Sequence, residues 1–305
     1  MSLIRLEGVT KRFGSKAALK QVTCQLEGQA IGLVGPNGAG KTTLMKLCLG
    51  LLKADEGRIH VLGQEITPRT ANRGLFGFAA EGTGHLPDLS GLECVAYAGQ
   101  LCGLSRRTSY LRAHDMLDLV GLDEARYRPA EAYSTGMLQR TKVAMALAHD
   151  PDLLFLDEPT SGLDPTSRAD FLDLLVHLRE ADGPAIILST HILHDVERAC
   201  DQVLILADGE VRYSGSIEDL RTVSTREYDV RLLKANGAFE TRLQQVGADI
   251  SHQGRGVYRV KLLEGQSPET VWQSADHIGA QIIGFEELRA DFEAAFLDQV
   301  GGISL

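Results

Sequence analysis

The sequence predicts an α/β fold built on a glycine-loop core, with an N-terminal antiparallel β portion, a helical portion and a small C-terminal α+β domain. Three observations predict it. An apolar segment, residues 30–34, runs straight into a glycine-rich loop and then a helical stretch. Two further apolar strands, near 153–156 and 184–189, are separated by helical sequence, the alternation that builds a parallel sheet. Beyond residue 221 the pattern changes to short strands and helices in quick succession.

At 305 residues the chain has room for one large α/β domain, or for a domain of ~200 residues with an appendage. Hydrophobic residues at 44% and charged residues at 24% are those of an ordinary globular protein. Lys plus Arg number 31 and Asp plus Glu 41, a formal charge of −10. Such a surface repels phosphate backbones, so nucleic acid is not an expected partner. No apolar run approaches the ~20 residues that cross a bilayer. Met-Ser-Leu-Ile-Arg-Leu-Glu carries neither a basic leader nor an apolar core, so no signal peptide is expected. Cys24, Cys48, Cys94, Cys102 and Cys200 form no C-x-x-C pair and read as free buried thiols of a reducing compartment.

In chain order, Leu3, Leu6 and Val9, then residues 18–22 and 24–26, alternate polar with apolar and read as antiparallel strands. Residues 30–34 are a buried strand, and 44–49 are helical. From 90 to 149 helices dominate. Ser90-Gly91-Leu92-Glu93 is a capping box. Residues 111–120 carry helical spacing until Gly121 stops it, and another helix is expected over 137–148. Residues 152–158 are an apolar strand ending in two acids. Pro165 opens a helix to about 180, since a first turn needs no N–H there. A strand at 184–189 follows, then a hairpin of 203–206 and 209–213 around Asp208-Gly209. A boundary is expected near 221–227, giving domains 1–220 and 221–305. The second reads strand 228–233, helix 239–246, strand 257–263, helix 268–278, strand 281–285 and helix 291–299. Ser267-Pro268-Glu269 is a helix start. From Arg226 onward 8 Lys/Arg stand against 12 Asp/Glu, which does not support a basic nucleic-acid arm.

Two motifs carry chemistry. Gly35-x-x-x-x-Gly40-Lys41-Thr42, after a strand and before a helix, is a phosphate loop. Its glycines let N–H groups turn toward phosphate oxygens, and the helix N-terminus adds positive potential. Gly35, Asn37, Gly38, Ala39, Gly40, Lys41, Thr42 and Thr43 are the candidate cradle. Lys41 would neutralise β/γ-phosphate charge and Thr42 would ligate Mg²⁺. The second motif is the acid pair at the strand end. Asp157 would hold Mg²⁺ through water, and Glu158 would polarise an attacking water.

Between them lies Tyr133-Ser134-Thr135-Gly136-Met137-Leu138-Gln139-Arg140, and after them Ser161-Gly162-Leu163-Asp164 and His191. With these five motifs in order, residues 3–220 resemble the ATP-binding-cassette (ABC) ATPases, and most of all the cytoplasmic ATPase subunits of export systems, the ABC-2-like type. The resemblance implies a P-loop NTPase core with a helical signature subdomain over about 86–150, and ATP and Mg²⁺ as cofactors. It implies that Phe13 stacks on adenine, the other reading of this aromatic being a place in the core. Ser134 and Gly136 would contact the γ-phosphate held by an opposite subunit. Asp164 would cross the dimer interface, and His191 would contact the γ-phosphate while holding Glu158 and water. The implied assembly is a homodimer, or a heterodimer with a related cassette, docked on an integral membrane permease at the inner face of the cell membrane. Leu86, Pro87, Leu89 and Leu92 are either the permease seat or helical-subdomain core.

Two departures stand out. Glu81 falls where the family has a Gln that faces Mg²⁺ and water, and it adds a negative charge. Tyr133, Thr135 and Met137 replace Leu, Gly and Gln of the family signature. Rival readings are a soluble cassette ATPase acting on ribosome or DNA, a non-hydrolysing nucleotide-binding module and a small-molecule kinase.

Overall fold

The computed structural model describes residues 2–82, 88–181, 183–224, 227–263, 265–288 and 292–300. They divide into two compact units, one made mainly of residues up to Ile217 and one running Glu218–Asp298. The division falls within the helix Ile217–Ser224.

The first unit opens with strands β1 (Ile4–Phe13) and β2 (Lys16–Leu26), paired antiparallel as their alternation predicts. Strand β3 (Ala30–Val34) is buried at every position and feeds helix α1 (Lys41–Cys48). Strands β4 (Glu56–Val61) and β5 (Gln64–Glu65) complete an antiparallel sheet in the order β2-β1-β4-β5. Strand β6 (Phe76–Ala79) is followed by helices α2 (Gly91–Leu101), α3 (Arg106–Leu119) and α4 (Thr135–Leu147). Then come β7 (Leu153–Asp157), α5 (Pro165–Glu180), β8 (Ala185–Thr190), α6 (Leu193–Ala199), β9 (Gln202–Ala207) and β10 (Glu210–Ser216).

The second sheet has the order β10-β9-β3-β8-β7-β6, parallel except for the β9–β10 hairpin. That hairpin turns on Asp208 (φ 53°) and Gly209 (φ 79°), the paired left-handed residues of a type I′ turn. The core joins the two sheets through the apolar side of α1, with Leu44, Met45, Leu47 and Cys48 packed among Leu6, Leu19, Ile31, Phe155 and Leu204.

In the helical region Ser90 and Glu93 form the expected capping box, Ser105 and Ser134 cap α3 and α4, and Gly121 (φ 68°) ends the α3 segment. Leu92 is buried there and Leu89 half-buried, which places Leu92 in the core of this region; Leu86 and Pro87 lie outside the described residues. Cys48, Cys94 and Cys200 are buried and Cys24 half-buried, but Cys102, at the end of α2, is exposed, against the expectation of buried thiols throughout. Among the described residues no helix is long and apolar enough to cross a membrane.

Helix α7 (Ile217–Ser224) precedes the second unit's β11 (Glu227–Leu232), α8 (Gly237–Gln245), β12 (Asp249–Gly254), β13 (Val257–Lys261), α9 (Glu269–His277) and β14 (Ile282–Leu288), with α10 (Phe292–Val300) after them. The antiparallel order β12-β13-β11-β14 with two helices is a split βαβ arrangement. Its core gathers Val230, Phe239, Leu243, Tyr258, Val260 and Val271. Strand β12 was not foreseen: Asp-Ile-Ser-His-Gln-Gly has one apolar residue, and only pairing along β13 makes it a strand.

Candidate active site

The loop after β3 is shaped by what cannot fit. A Cβ on Gly35 would stand 2.0 Å from the Leu206 carbonyl oxygen, so the chain turns there only as glycine. Gly40 (φ 108°) caps α1 in a left-handed conformation, and a Cβ on it would meet the Ala18 carbonyl at 2.6 Å. As a glycine it offers no side chain to cap the first N–H groups of α1.

Lys41, 7% exposed, donates to the Gly35 carbonyl at 2.6 Å and lies 3.8 Å from Glu158 Oε1. Burial lowers its pKa below the ordinary lysine value, and the charges of Glu158 and Asp157 oppose that shift. Thr42 Oγ1 donates to Asp157 Oδ1 at 3.3 Å. Asp157 ends β7 and pairs with Ser189 of β8, whose buried hydroxyl has no hydrogen-bond partner among the described residues. Glu158 leaves the sheet at φ 48°, a left-handed conformation rare for a non-glycine residue, while its N–H still bonds the Ser189 carbonyl at 2.9 Å. Its Oε2 lies 2.8 Å from His191 Nδ1. An ionised carboxylate only accepts, so Nδ1 carries the proton in this pair.

These groups open on a cavity of about 470 Å³. Of the sequence-derived candidates, Phe13, Asn37, Gly38, Ala39, Gly40, Lys41, Thr42, Thr43, Glu81, Glu158 and His191 line it. Gly35 and Asp157 lie beneath, bonded to Lys41 and Thr42. The Phe13 ring is 52% exposed with Lys11 Nζ 5.5 Å from its centre, so it belongs to the cavity and not to the core. Sequence reasoning missed Lys16, Ala18 and Ser161, which also line the cavity. Ser161 sits within a recognised motif and could have been found; Lys16 and Ala18 reach the loop only because β2 packs beside it.

Ser134, Gly136 and Asp164 are not among the residues lining this cavity. Ser134 caps α4, accepting from the Met137 N–H, and Asp164 caps α5, accepting from the N–H groups of Thr166 and Ser167. Hydrogen bonds from Ser167 hold the Asp164 carboxyl below its usual pKa. The two helix starts lie side by side: a Cβ on Gly136 would be 3.4 Å from Ser167 Cβ, and one on Gly162 3.7 Å from Thr135 Cγ2. Tyr133, the departure from Leu, is buried, and its hydroxyl donates to the Ala125 carbonyl at 2.7 Å.

The ABC transporter family pattern matches residues 19–161. YxlF, an ABC transporter ATP-binding protein of Bacillus subtilis, is 38% identical over 220 residues, covering 72% of each chain. The chain belongs to the ABC transporter ATPase family. Nod factor export ATP-binding protein I of Ralstonia nicotianae is 34% identical over 223 residues, 72% of this chain and 69% of that one. Among solved structures, the dimeric post-hydrolysis state of the ATP-binding cassette MJ0796 bound to ADP and Pi matches with a TM-score of 0.62 and 27% identity, over 70% of this chain and 98% of that chain. This cassette is thus an ATP-binding, ATP-hydrolysing subunit of a transporter, with the P-loop α/β fold that the motif order predicts.

Proposed function

We propose that this cassette drives a separate membrane permease in the export direction, from the inner face of the cell membrane, as a head-to-tail dimer with two composite ATP sites. The export direction is supported by likeness to a relative named for export. The observation that carries the composite site is the separation just described. The phosphate loop, Glu158 and His191 share one cavity, while Ser134, Gly136 and Asp164 stand on neighbouring helix N-termini outside it. The exposed N-terminus of α4 is suited to an anion that another copy presents, whereas the N-terminal N–H groups of α5 are already taken by the Asp164 carboxylate. A two-fold pair satisfies both halves at once.

In this reading the loop N–H groups and Lys41 grip the phosphates, and Phe13 stacks on the base. Thr42, Asp157 and Glu81 would supply oxygen donors for Mg²⁺. The donor set fits a hard cation: Thr42 and Asp157 oxygens are 3.3 Å apart, and the buried Ser189 hydroxyl, without a hydrogen-bond partner among the described residues, pairs in register with Asp157. The ion would neutralise phosphate charge when bound. Glu158 takes a proton from the attacking water, and His191 holds the Glu158 carboxylate on its line through their hydrogen bond. ATP bridging two copies favours the closed pair, and its hydrolysis removes the bridge; that difference in affinity drives the permease.

The test is a pair of variants. Lys41→Ala loses nucleotide binding in a titration with fluorescent ATP. Gly136→Asp still binds ATP as a monomer, yet neither dimerises with ATP in sedimentation nor releases phosphate. Wild-type turnover by a Gly136→Asp monomer would exclude the composite site. Recovery of an integral membrane protein with the tagged chain from detergent extracts checks the permease, and recovery of RNA instead would overturn it.

A further inference from the structure

We propose that Lys142 is a positioning residue of the hydrolytic site, an internal clamp that binds the Glu81 loop to the helix beginning at Ser134. The proposal rests on the reading of Glu81 as a group that faces bound phosphate and Mg²⁺.

Lys142 stands in the middle of α4 and is 7% exposed, between buried Thr141 and Val143. Helix formation asks only for an apolar side chain at such a place, and a buried ammonium must find acceptors or lose its charge. Lys142 Nζ finds two. It donates to the Ala80 carbonyl at 2.8 Å and to the Gly82 carbonyl at 2.7 Å, the residues on either side of Glu81. Strand β6 ends at Ala79, so these carbonyls have left the ladder and can accept from a donor elsewhere in the fold. A helical residue sixty positions downstream supplies it.

Two bonds that straddle one residue fix that residue's main chain while leaving its side chain free. Glu81 is exposed, and it lines both the nucleotide cavity and a neighbouring cavity of about 230 Å³ bounded by Lys142, Gln139 and Thr135. Glu158 and Ser161 also line both. The clamp therefore reaches the edge of the hydrolytic site without touching the phosphate loop. Burial lowers the Lys142 pKa, and the negative charges of Glu81 and Asp157 oppose the shift, which places its charge within their field. Any displacement of α4 is delivered to Glu81 through this two-point contact. The Ser134 end of α4 and the Glu81 loop are thus one mechanical piece.

Lys142→Met keeps the length and removes the donors and the charge. In the full chain the expected result is a fall in kcat of about tenfold, the scale of losing a residue that orients a ligand, with KM for ATP and nucleotide affinity within about twofold. In a Glu81→Ala background the same substitution adds less than about twofold, because there is no carboxylate left to position. An unchanged kcat, an equal loss in the Glu81→Ala background, or a matching loss of ATP affinity would each overturn the clamp. Full turnover by Glu81→Ala alone refutes the underlying reading of Glu81, an outcome distinct from a silent Lys142→Met beside an impaired Glu81→Ala. Should Lys142→Met unfold, hydrogen exchange in Lys142→Gln decides. Faster exchange at residues 80–82 with unchanged exchange in α4 supports the clamp, and equal exchange in the loop overturns it.

Discussion

Replacing Glu158 by Gln separates the two tasks assigned to this site. The amide keeps the size of the side chain and an oxygen that His191, 2.8 Å away, can still donate to. What disappears is one negative charge in a pocket where that carboxylate is nearly buried, 3.8 Å from Lys41. At that separation two unit charges interact by about 4 kcal/mol at an effective dielectric constant of ~20. The phosphates of ATP therefore lose a repelling neighbour, while Lys41 keeps its bond to Gly35 and the field of Asp157. ATP affinity should hold or rise. Hydrolysis loses its proton acceptor, a contribution of ~10²–10⁴ in rate, or about 3–5 kcal/mol of barrier. The expected result is a variant that binds ATP, sediments as a dimer with it and releases phosphate at least about a hundredfold more slowly than wild type. Colorimetric phosphate release and sedimentation velocity, with and without ATP, measure both. Turnover within a few-fold of wild type would remove Glu158 from the role of base, and monomers at saturating ATP would remove the bridging nucleotide.

Further outcomes follow from the same geometry. Gly35→Ala should abolish ATP binding, because its Cβ would lie 2.0 Å from a carbonyl oxygen; Gly38→Ala, whose Cβ meets nothing within 4 Å but must hold φ 81°, should weaken binding less in the same titration. Asp195→Asn should lower stability by about 3 kcal/mol in urea unfolding. Asp195 is wholly buried and holds Arg168 at 2.7 Å and the Thr160 hydroxyl at 2.5 Å, so the amide leaves Arg168 without its counter-charge. Stability should also depend on pH through Lys41. Its folded pKa lies below the unfolded 10.5, so the charged form costs stability at neutral pH, and that cost is relieved as pH rises toward 10.5. Lys41→Met also removes the counter-charge of Glu158, so the pH trend is the test: nucleotide-free wild type should gain stability relative to Lys41→Met as pH rises toward 10.5, and a relative loss in pH-resolved denaturation would contradict the sign.

Local chemistry was readable wherever it acts over a few residues. The phosphate loop between β3 and α1, the strand that ends in Asp157 and Glu158, and the helix from Pro165 to Glu180 all lie where sequence predicts them, because apolar runs, caps, proline and glycine act on their immediate neighbours. Strand β12 was not readable, since an edge strand of polar residues carries no period of its own. The meeting of Thr42 with Asp157, of Glu158 with His191 and of Lys142 with the carbonyls flanking Glu81 was decided by tertiary structure alone. Each depends on the sheet order β3-β8-β7-β6 and its register. A slip of one residue along β7 would turn Asp157 to the opposite face and empty the site, although every local motif would still be intact.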